Sequence, residues 1–163
     1  MSNIEQIGRT FLSLKTRNYR LYFIGQGISL CGTWMQTIGQ AWLVLKITGS
    51  GTALGMVAAF QFVPMLVLGP FGGVIADRFS KRKILYFTQT ASGGLALMLG
   101  ILVATDLVKL WMIYIFVFSL GLVNAIDNPT RQTFITEMVG EDQLPNAVSL
   151  NSAQVNLARA IGP

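Results

Sequence analysis

The sequence predicts an all-α membrane protein, a polytopic helical bundle of about five transmembrane helices, on three observations. Hydrophobic residues make up 52% of the chain and charged residues only 12%, whereas soluble domains carry about a quarter charged residues. The charges are clustered, so uncharged runs separate them at 21–45, 47–76, 84–105 and 110–126. A bilayer core about 30 Å thick needs roughly 20 apolar residues of helix. The first three runs exceed that length, and the fourth must continue through Asp127 or be unusually compact.

The order of the elements follows from these runs and from the turn residues between them. Transmembrane barrel strands alternate over about 10 residues, and no such alternation occurs, so the spans are helices. We expect these helices at about 19–47, 52–76, 83–105 and 109–138, with a fifth from about Leu144. Pro64 and Pro70 should bend the second helix, and Pro145 suits a first helical turn.

The two ends of the chain carry weaker signals. Residues 1–18 lack the apolar core of a secretory signal. Their apolar residues share one helical face, which fits either a short amphipathic helix on the membrane surface or a frayed terminus. The last residues, Ile161 to Pro163, fall inside the fifth span without a charged flank. We therefore expect an N-terminal fragment of a longer protein.

Composition excludes several classes of function. The single cysteine, Cys31, precludes an internal disulfide, and the absence of histidine makes a metal site or imidazole chemistry improbable. The net charge of +5 does not indicate nucleic-acid binding, because the basic residues sit at the ends of apolar spans. We expect no metal and no cofactor.

The distribution of those basic residues predicts the orientation. The leader, its junction and the link after the second span carry eight, whereas the alternate links carry only Lys46 and Lys109. Basic residues concentrate on the cytoplasmic side, which places the N-terminus in the cytoplasm. The eight are Arg9, Lys15, Arg17, Arg20, Arg78, Lys81, Arg82 and Lys83.

Polar side chains form a stripe along the first helix. At 100° per residue they fall within an arc of about 100°, and they are Gln26, Ser29, Thr33, Gln36, Thr37 and Gln40. The stripe can line a water-filled cavity, or its amides can join neighbouring helices at about 1 kcal/mol each. A ladder of Gly25, Gly32 and Gly39 beside it is typical of close helix packing.

The fourth helix places Asn124, Asp127, Asn128 and Arg131 on one face. Asp127 and Arg131 are four residues apart, the spacing at which side chains meet on a helix. Ionisable groups within a membrane are costly and often functional. The pair therefore serves proton coupling or gating, or it is a structural ion pair.

The fifth helix places Ser149, Ser152, Asn156 and Arg159 on one face. Arg159 lies about 22 Å beyond Leu144 along the helix, which is deep for an unpaired guanidinium. It should face a water-filled cavity, a ligand, or an acid such as Asp127. A guanidinium can bind an anionic oxygen bidentately or stack on an aromatic ring.

The link after the second span resembles the signature loop of the major facilitator superfamily. The residues that carry the resemblance are Gly73, Asp77, Arg78, Lys81, Arg82 and Lys83. The segments 17–20, 34–36, 127–132 and 144–147 resemble more narrowly the exporter branch that includes the enterobactin exporter.

This resemblance implies a twelve-helix secondary transporter with a central cavity between two bundles. Residues 1–18 would be the leader and 19–163 helices one to five of the first six-helix bundle. The protein would then be an inner-membrane antiporter, a monomer at full length, that exports a small siderophore- or drug-like molecule against protons. Asp77 with its basic neighbours would form the cytoplasmic gate, and the cavity would be lined by Gln36, Gln40, Asn124, Asn156 and Arg159. The alternatives are a non-transporting membrane-embedded interaction module and, more remotely, a membrane enzyme.

Overall fold

The computed structural model describes residues 17–140 and 143–162, and this part of the chain folds into five helices joined by short turns. The predicted all-α fold is confirmed, whereas residues 1–16 of the expected leader lie outside the described residues. The helices are α1 (Arg17–Thr48), α2 (Gly51–Arg78), α3 (Lys81–Ala104), α4 (Leu110–Val139) and α5 (Leu144–Ile161).

The link between α2 and α3 is shorter than the sequence predicts. Asp77 and Arg78 continue α2, and α3 already begins at Lys81, so only Phe79 and Ser80 remain outside the two helices. Both residues have extended backbone angles, which reverse the chain. The charges do not end the helices, because their side chains can reach water from a helical backbone.

Left-handed backbone conformations end three of the helices. Gly49 (φ +62°) follows α1 and Gly140 (φ +73°) follows α4, and their N–H groups donate to carbonyls of the last helical turn. Asp106 (φ +55°) ends the turn after α3, and aspartate tolerates this region better than most residues. Each reversal therefore occupies only a few residues.

Within residues 17–140 and 143–162, three helices are long and apolar enough to cross a membrane, namely α2, α3 and α4. Only 11% of the most apolar window of α2 and of α3, and 33% of that of α4, is buried inside the structure. Apolar surface of that extent is covered by a partner or by lipid, and in spans of this length lipid is the ordinary cover. Helices α1 and α5 carry the polar stripes.

The chain forms two compact units, each with its own apolar core. The first unit comprises residues 17–38 and the residues from Phe134 onward, and the second comprises Gly39–Thr133. The first core consists of Tyr19, Ile135, Val139, Ala147 and Leu150. The second consists of Leu43, Val44, Ala53, Val57, Leu99, Ile113 and Val117.

In the first unit, α1 and α5 pack side by side and run in the same direction. The Tyr19 hydroxyl donates to the Ala147 carbonyl (3.2 Å), and Gln154 Nε2 donates to the Phe23 carbonyl (2.6 Å). Farther along both helices, Gly162 lies against Trp34. Residue numbers rise together along the two helices, as expected for first and fifth spans that cross a membrane in the same sense.

In the second unit, α2 and α4 approach so closely that only glycine fits at two points. A Cβ atom added at Gly121 would lie 2.5 Å from the Gln61 carbonyl oxygen, and one added at Gly72 would collide with the Ala125 carbonyl. Backbone atoms cannot move aside as a flexible side chain can. The two glycines therefore set the distance between these helices.

We predict that Gly72→Ala destabilises the protein, because the new methyl group forces the α2 and α4 backbones apart. Overpacking of this kind costs about 1–3 kcal/mol, and the melting temperature of the purified protein in detergent should fall. Gly69→Ala is the matched control, since a Cβ atom there meets nothing within 4 Å. Its melting temperature should stay the same or rise slightly. Equal melting temperatures for the two variants would contradict the close approach.

Candidate functional site

A buried ion pair lies within α4 of the second unit. Arg131 Nη2 donates to Asp127 Oδ2 at 2.5 Å, and Arg131 Nε donates to the same oxygen at 3.0 Å. Asp127 is only 5% exposed. Helical spacing brings the two side chains together, so each charge is neutralised where hydrocarbon would penalise it.

The second oxygen of Asp127 is bound from the neighbouring helix. Thr88 on α3 is fully buried, and its hydroxyl donates to Asp127 Oδ1 at 2.5 Å. Asp127 therefore joins α3 to α4 and is already paired inside the second unit. Sequence reasoning missed Thr88, because nothing in an isolated helix indicates which residue of another helix it will meet.

Arg159 in the first unit lies over an aromatic ring. Its guanidinium carbon is 4.8 Å from the centroid of the Trp34 ring, within the range of a cation–π interaction. The three surroundings predicted for Arg159, namely a water-filled cavity, a ligand or an acid such as Asp127, stay predictions, and the contact with the ring is what the structure adds.

A close approach of the backbones holds Trp34 in place. A Cβ atom added at Gly162 would lie 2.7 Å from Trp34 Cβ and 3.1 Å from the Cys31 carbonyl oxygen. Only glycine admits this approach, which wedges the tryptophan against the end of α5. Trp34 is therefore held at its Cβ atom, and its ring lies beneath the Arg159 guanidinium carbon.

The polar faces of α1 and α5 open to the same side of the helix pair. On α1 the polar stripe lies about 110° from the face that contacts α5, and on α5 Arg159 lies about 105° from the face that contacts α1. The two rotations have opposite signs. Because the helices are parallel and their contact faces point at each other, both polar faces therefore point to the same side of the pair. Thr33 on α1 and Ser152, Asn156 and Arg159 on α5 are all exposed there. We call this surface the α1–α5 polar groove.

The five predicted cavity residues divide between the two units. Gln36 is half-buried, and Asn156 and Arg159 are exposed, all in the first unit. Gln40 and Asn124 belong to the second unit. Gln40 is buried there, and its Nε2 has no hydrogen-bond partner within the described part of the chain. The structure thus places Gln36, Asn156 and Arg159 in one unit and Gln40 and Asn124 in the other.

The signature-loop residues lie at the junction of α2 and α3. Asp77 is exposed and forms no ion pair with residues 17–140 or 143–162. Arg82 donates to the Tyr86 hydroxyl (3.3 Å), one turn farther along α3. Arg78 and Lys83 are exposed, and a Cβ atom at Gly73 would meet nothing within 4 Å.

We predict that Thr88→Val destabilises the protein, because it leaves one oxygen of a buried carboxylate without its donor. Loss of a hydrogen bond to a charged group costs about 1.5–3 kcal/mol, which thermal unfolding in detergent would detect. Thr90→Val is the control on the same helix, since Thr90 is exposed and its hydroxyl bonds only to the Tyr86 carbonyl. If Thr88→Val melted at the temperature of Thr90→Val, the link between α3 and α4 would contribute nothing.

Comparison with known proteins identifies relatives of the chain. The staphyloferrin A transporter of Staphylococcus aureus is 28% identical over 145 residues, 88% of this chain and 36% of that protein. Macrolide efflux protein A of Streptococcus pyogenes is 24% identical over 153 residues, 91% of this chain and 38% of that protein. An uncharacterised MFS-type transporter of Bacillus subtilis is 23% identical over 139 residues, 85% of this chain and 32% of that protein. No solved structure matches the chain.

The chain spans a little over a third of the length of the first two relatives. The relatives are transporters and not enzymes. A family model described as transmembrane secretion effector matches residues 9–163, nearly the whole chain. The chain therefore belongs to the transmembrane secretion effectors, a family of major facilitator superfamily membrane transporters.

Proposed function

We propose that the protein containing this chain is a secondary active exporter of a small organic molecule. The observation that carries the proposal is the exposed Arg159 guanidinium on the Trp34 ring, beside the α1–α5 polar groove. A charge within a membrane helix is costly unless it faces water or a ligand. An exporter needs a polar surface of this kind along its substrate path.

The proposed topology places the N-terminus and the α2–α3 link in the cytoplasm, and the protein in the inner membrane. The excess of basic residues at these segments supports this orientation. The parallel packing of α1 and α5 agrees with it, because both helices then leave from the cytoplasmic face.

The residues that we propose as lining the cavity are Gln36, Gln40, Asn124, Asn156 and Arg159. Amides offer both donors and acceptors, so they can bind a polar molecule in more than one orientation. The relatives include a staphyloferrin A transporter and macrolide efflux proteins. A siderophore- or drug-like substrate is therefore our proposal for this protein.

Proton antiport is the proposed energy source, with Asp127 and Arg131 as the coupling groups. A proton on Asp127 would neutralise the carboxylate and release Arg131 from its ion pair. Because Thr88 ties the same carboxylate to α3, the change would also loosen the contact between α3 and α4. A local charge change could thus shift the balance between two conformations.

The proposed gate consists of Gly73, Asp77, Arg78, Lys81, Arg82 and Lys83. Asp77 is free to bind a cation beyond the described part of the chain, and an ion pair made in only one conformation stabilises that conformation.

We predict that Asp77→Asn reduces export severalfold without lowering the amount of protein in the membrane, because the gate loses its carboxylate. The measurement is efflux from cells expressing the full-length protein, across a panel of siderophore-like and drug-like compounds, with and without a proton gradient. Asp106→Asn is the matched control, since Asp106 is exposed in the turn at the other end of α3. It should export at the wild-type rate.

Three results would contradict the proposal. Equal efflux from cells with and without the protein, for every compound, would remove the exporter function. Efflux at the same rate with and without the proton gradient would contradict the antiport mechanism. Wild-type efflux by Asp77→Asn would remove the gate.

A further inference from the structure

We infer that Arg159, which lies over the Trp34 ring, binds a carboxylate of the transported molecule. Hydroxyl or amide donors of the same molecule, next to that carboxylate, bind the α1–α5 polar groove. This inference rests on the proposed export function and adds to it the chemical class of the substrate. Four properties of the described residues support it.

First, the described residues of its own unit hold no acid beside Arg159 that could balance its charge. Glu137 is the one carboxylate among the described residues of that unit, and it lies in the last turn of α4. Glu137 precedes the start of α5, whereas Arg159 is about 22 Å farther along that helix. An anion arriving from outside would supply the missing charge.

Second, the guanidinium retains its hydrogen-bonding capacity. Its central carbon lies over the Trp34 ring, and its N–H groups make no hydrogen bond within residues 17–140 and 143–162. A guanidinium presents five N–H donors in its plane, in a fork that matches the two oxygens of a carboxylate. The contact with the ring uses none of these donors.

Third, the guanidinium is in contact with the ring before any ligand arrives. Gly162 packs against Trp34 Cβ, and the guanidinium carbon lies over the ring. A long side chain loses rotamer freedom when it binds a ligand. The contact with the ring restricts the Arg159 side chain beforehand and so reduces that cost.

Fourth, the neighbouring polar groups can mainly accept hydrogen bonds. Asn156 Nδ2 donates to the Ser152 carbonyl (2.9 Å), which leaves Oδ1 of the amide as an acceptor. The Thr33 and Thr37 hydroxyls donate to carbonyls of α1, and their lone pairs remain. A ligand with a carboxylate and adjacent hydroxyl or amide donors matches this arrangement.

The experiment uses three probes of equal size and different charge. Benzoate is anionic, benzamide is neutral and benzamidine is cationic. Binding of tritiated benzoate to the purified full-length protein is measured by scintillation proximity, with the other two compounds as competitors. We expect saturable benzoate binding, competition at least tenfold weaker by benzamide, and no competition by benzamidine.

Two substitutions of Arg159 and one control assign the binding. Arg159→Gln should weaken benzoate binding at least tenfold. Arg159→Lys should weaken it severalfold, because an ammonium keeps the charge but lacks the planar fork. Lys46→Gln is the matched control, since Lys46 is also an exposed cation over a tryptophan, 5.1 Å from the Trp42 ring centroid. It should bind as the wild type does, and size-exclusion profiles show that each variant is folded.

Several outcomes would overturn the inference. They are the absence of benzoate binding by the wild type, equal binding by folded Arg159→Gln, equal competition by benzamide, and displacement by benzamidine. Displacement by benzamidine would mean that a cation replaces Arg159 on the Trp34 ring.

The export assay separates this inference from the proposed function. Export of neutral or cationic compounds that is unaffected by Arg159→Gln would leave the function standing without a carboxylate site. Arg159-dependent benzoate binding without export of any compound would leave the site without the function.

Discussion

The parallel pairing of α1 and α5 is the constraint on which the candidate site depends. Hydrogen bonds at Tyr19 and Phe23 fix the register at one end, and the approach of Gly162 to Trp34 fixes it at the other. Gly27 lies between them, where a Cβ atom would come within 2.8 Å of Gln154 Nε2. Gly27 and Gly162 thus leave room for atoms of the facing helix, as small residues often do between membrane helices. This register puts the Arg159 guanidinium over the Trp34 ring.

Charged side chains within the apolar helices have two different surroundings. The charges of Asp127 and Arg131 neutralise each other, and the Thr88 hydroxyl donates to the second oxygen of the carboxylate. Arg159 is exposed, rests on an aromatic face and keeps its donors free. An unpaired charge is costly in hydrocarbon, so the ion pair of Asp127 and Arg131 is suited to open only when the protein changes conformation. Arg159 is suited to bind a partner that arrives from solution.

Most of the architecture could be predicted from the sequence, because uncharged runs and glycine turns are local signals. The helix boundaries at the basic link could not, since Asp77 and Arg78 are polar enough to suggest a loop and yet continue α2. The polar face that carries Arg159 follows from helical periodicity alone. Its partner Trp34 and the partner Thr88 of Asp127 do not, because they depend on the register between helices that are distant in sequence.

The pairing of α1 and α5 can be measured directly by disulfide cross-linking in membranes that contain the full-length protein. With Cys31 replaced by serine, cysteines at positions 27 and 154 should cross-link under mild oxidation, because a Cβ atom at position 27 would lie 2.8 Å from Gln154 Nε2 and 3.7 Å from Gln154 Cδ. Cysteines at 27 and 147 should not, since Ala147 lies opposite Tyr19, about 12 Å away along the helix axis and beyond the reach of a disulfide. Cross-linking of the second pair but not the first would contradict the register, and with it the position of Arg159 on Trp34.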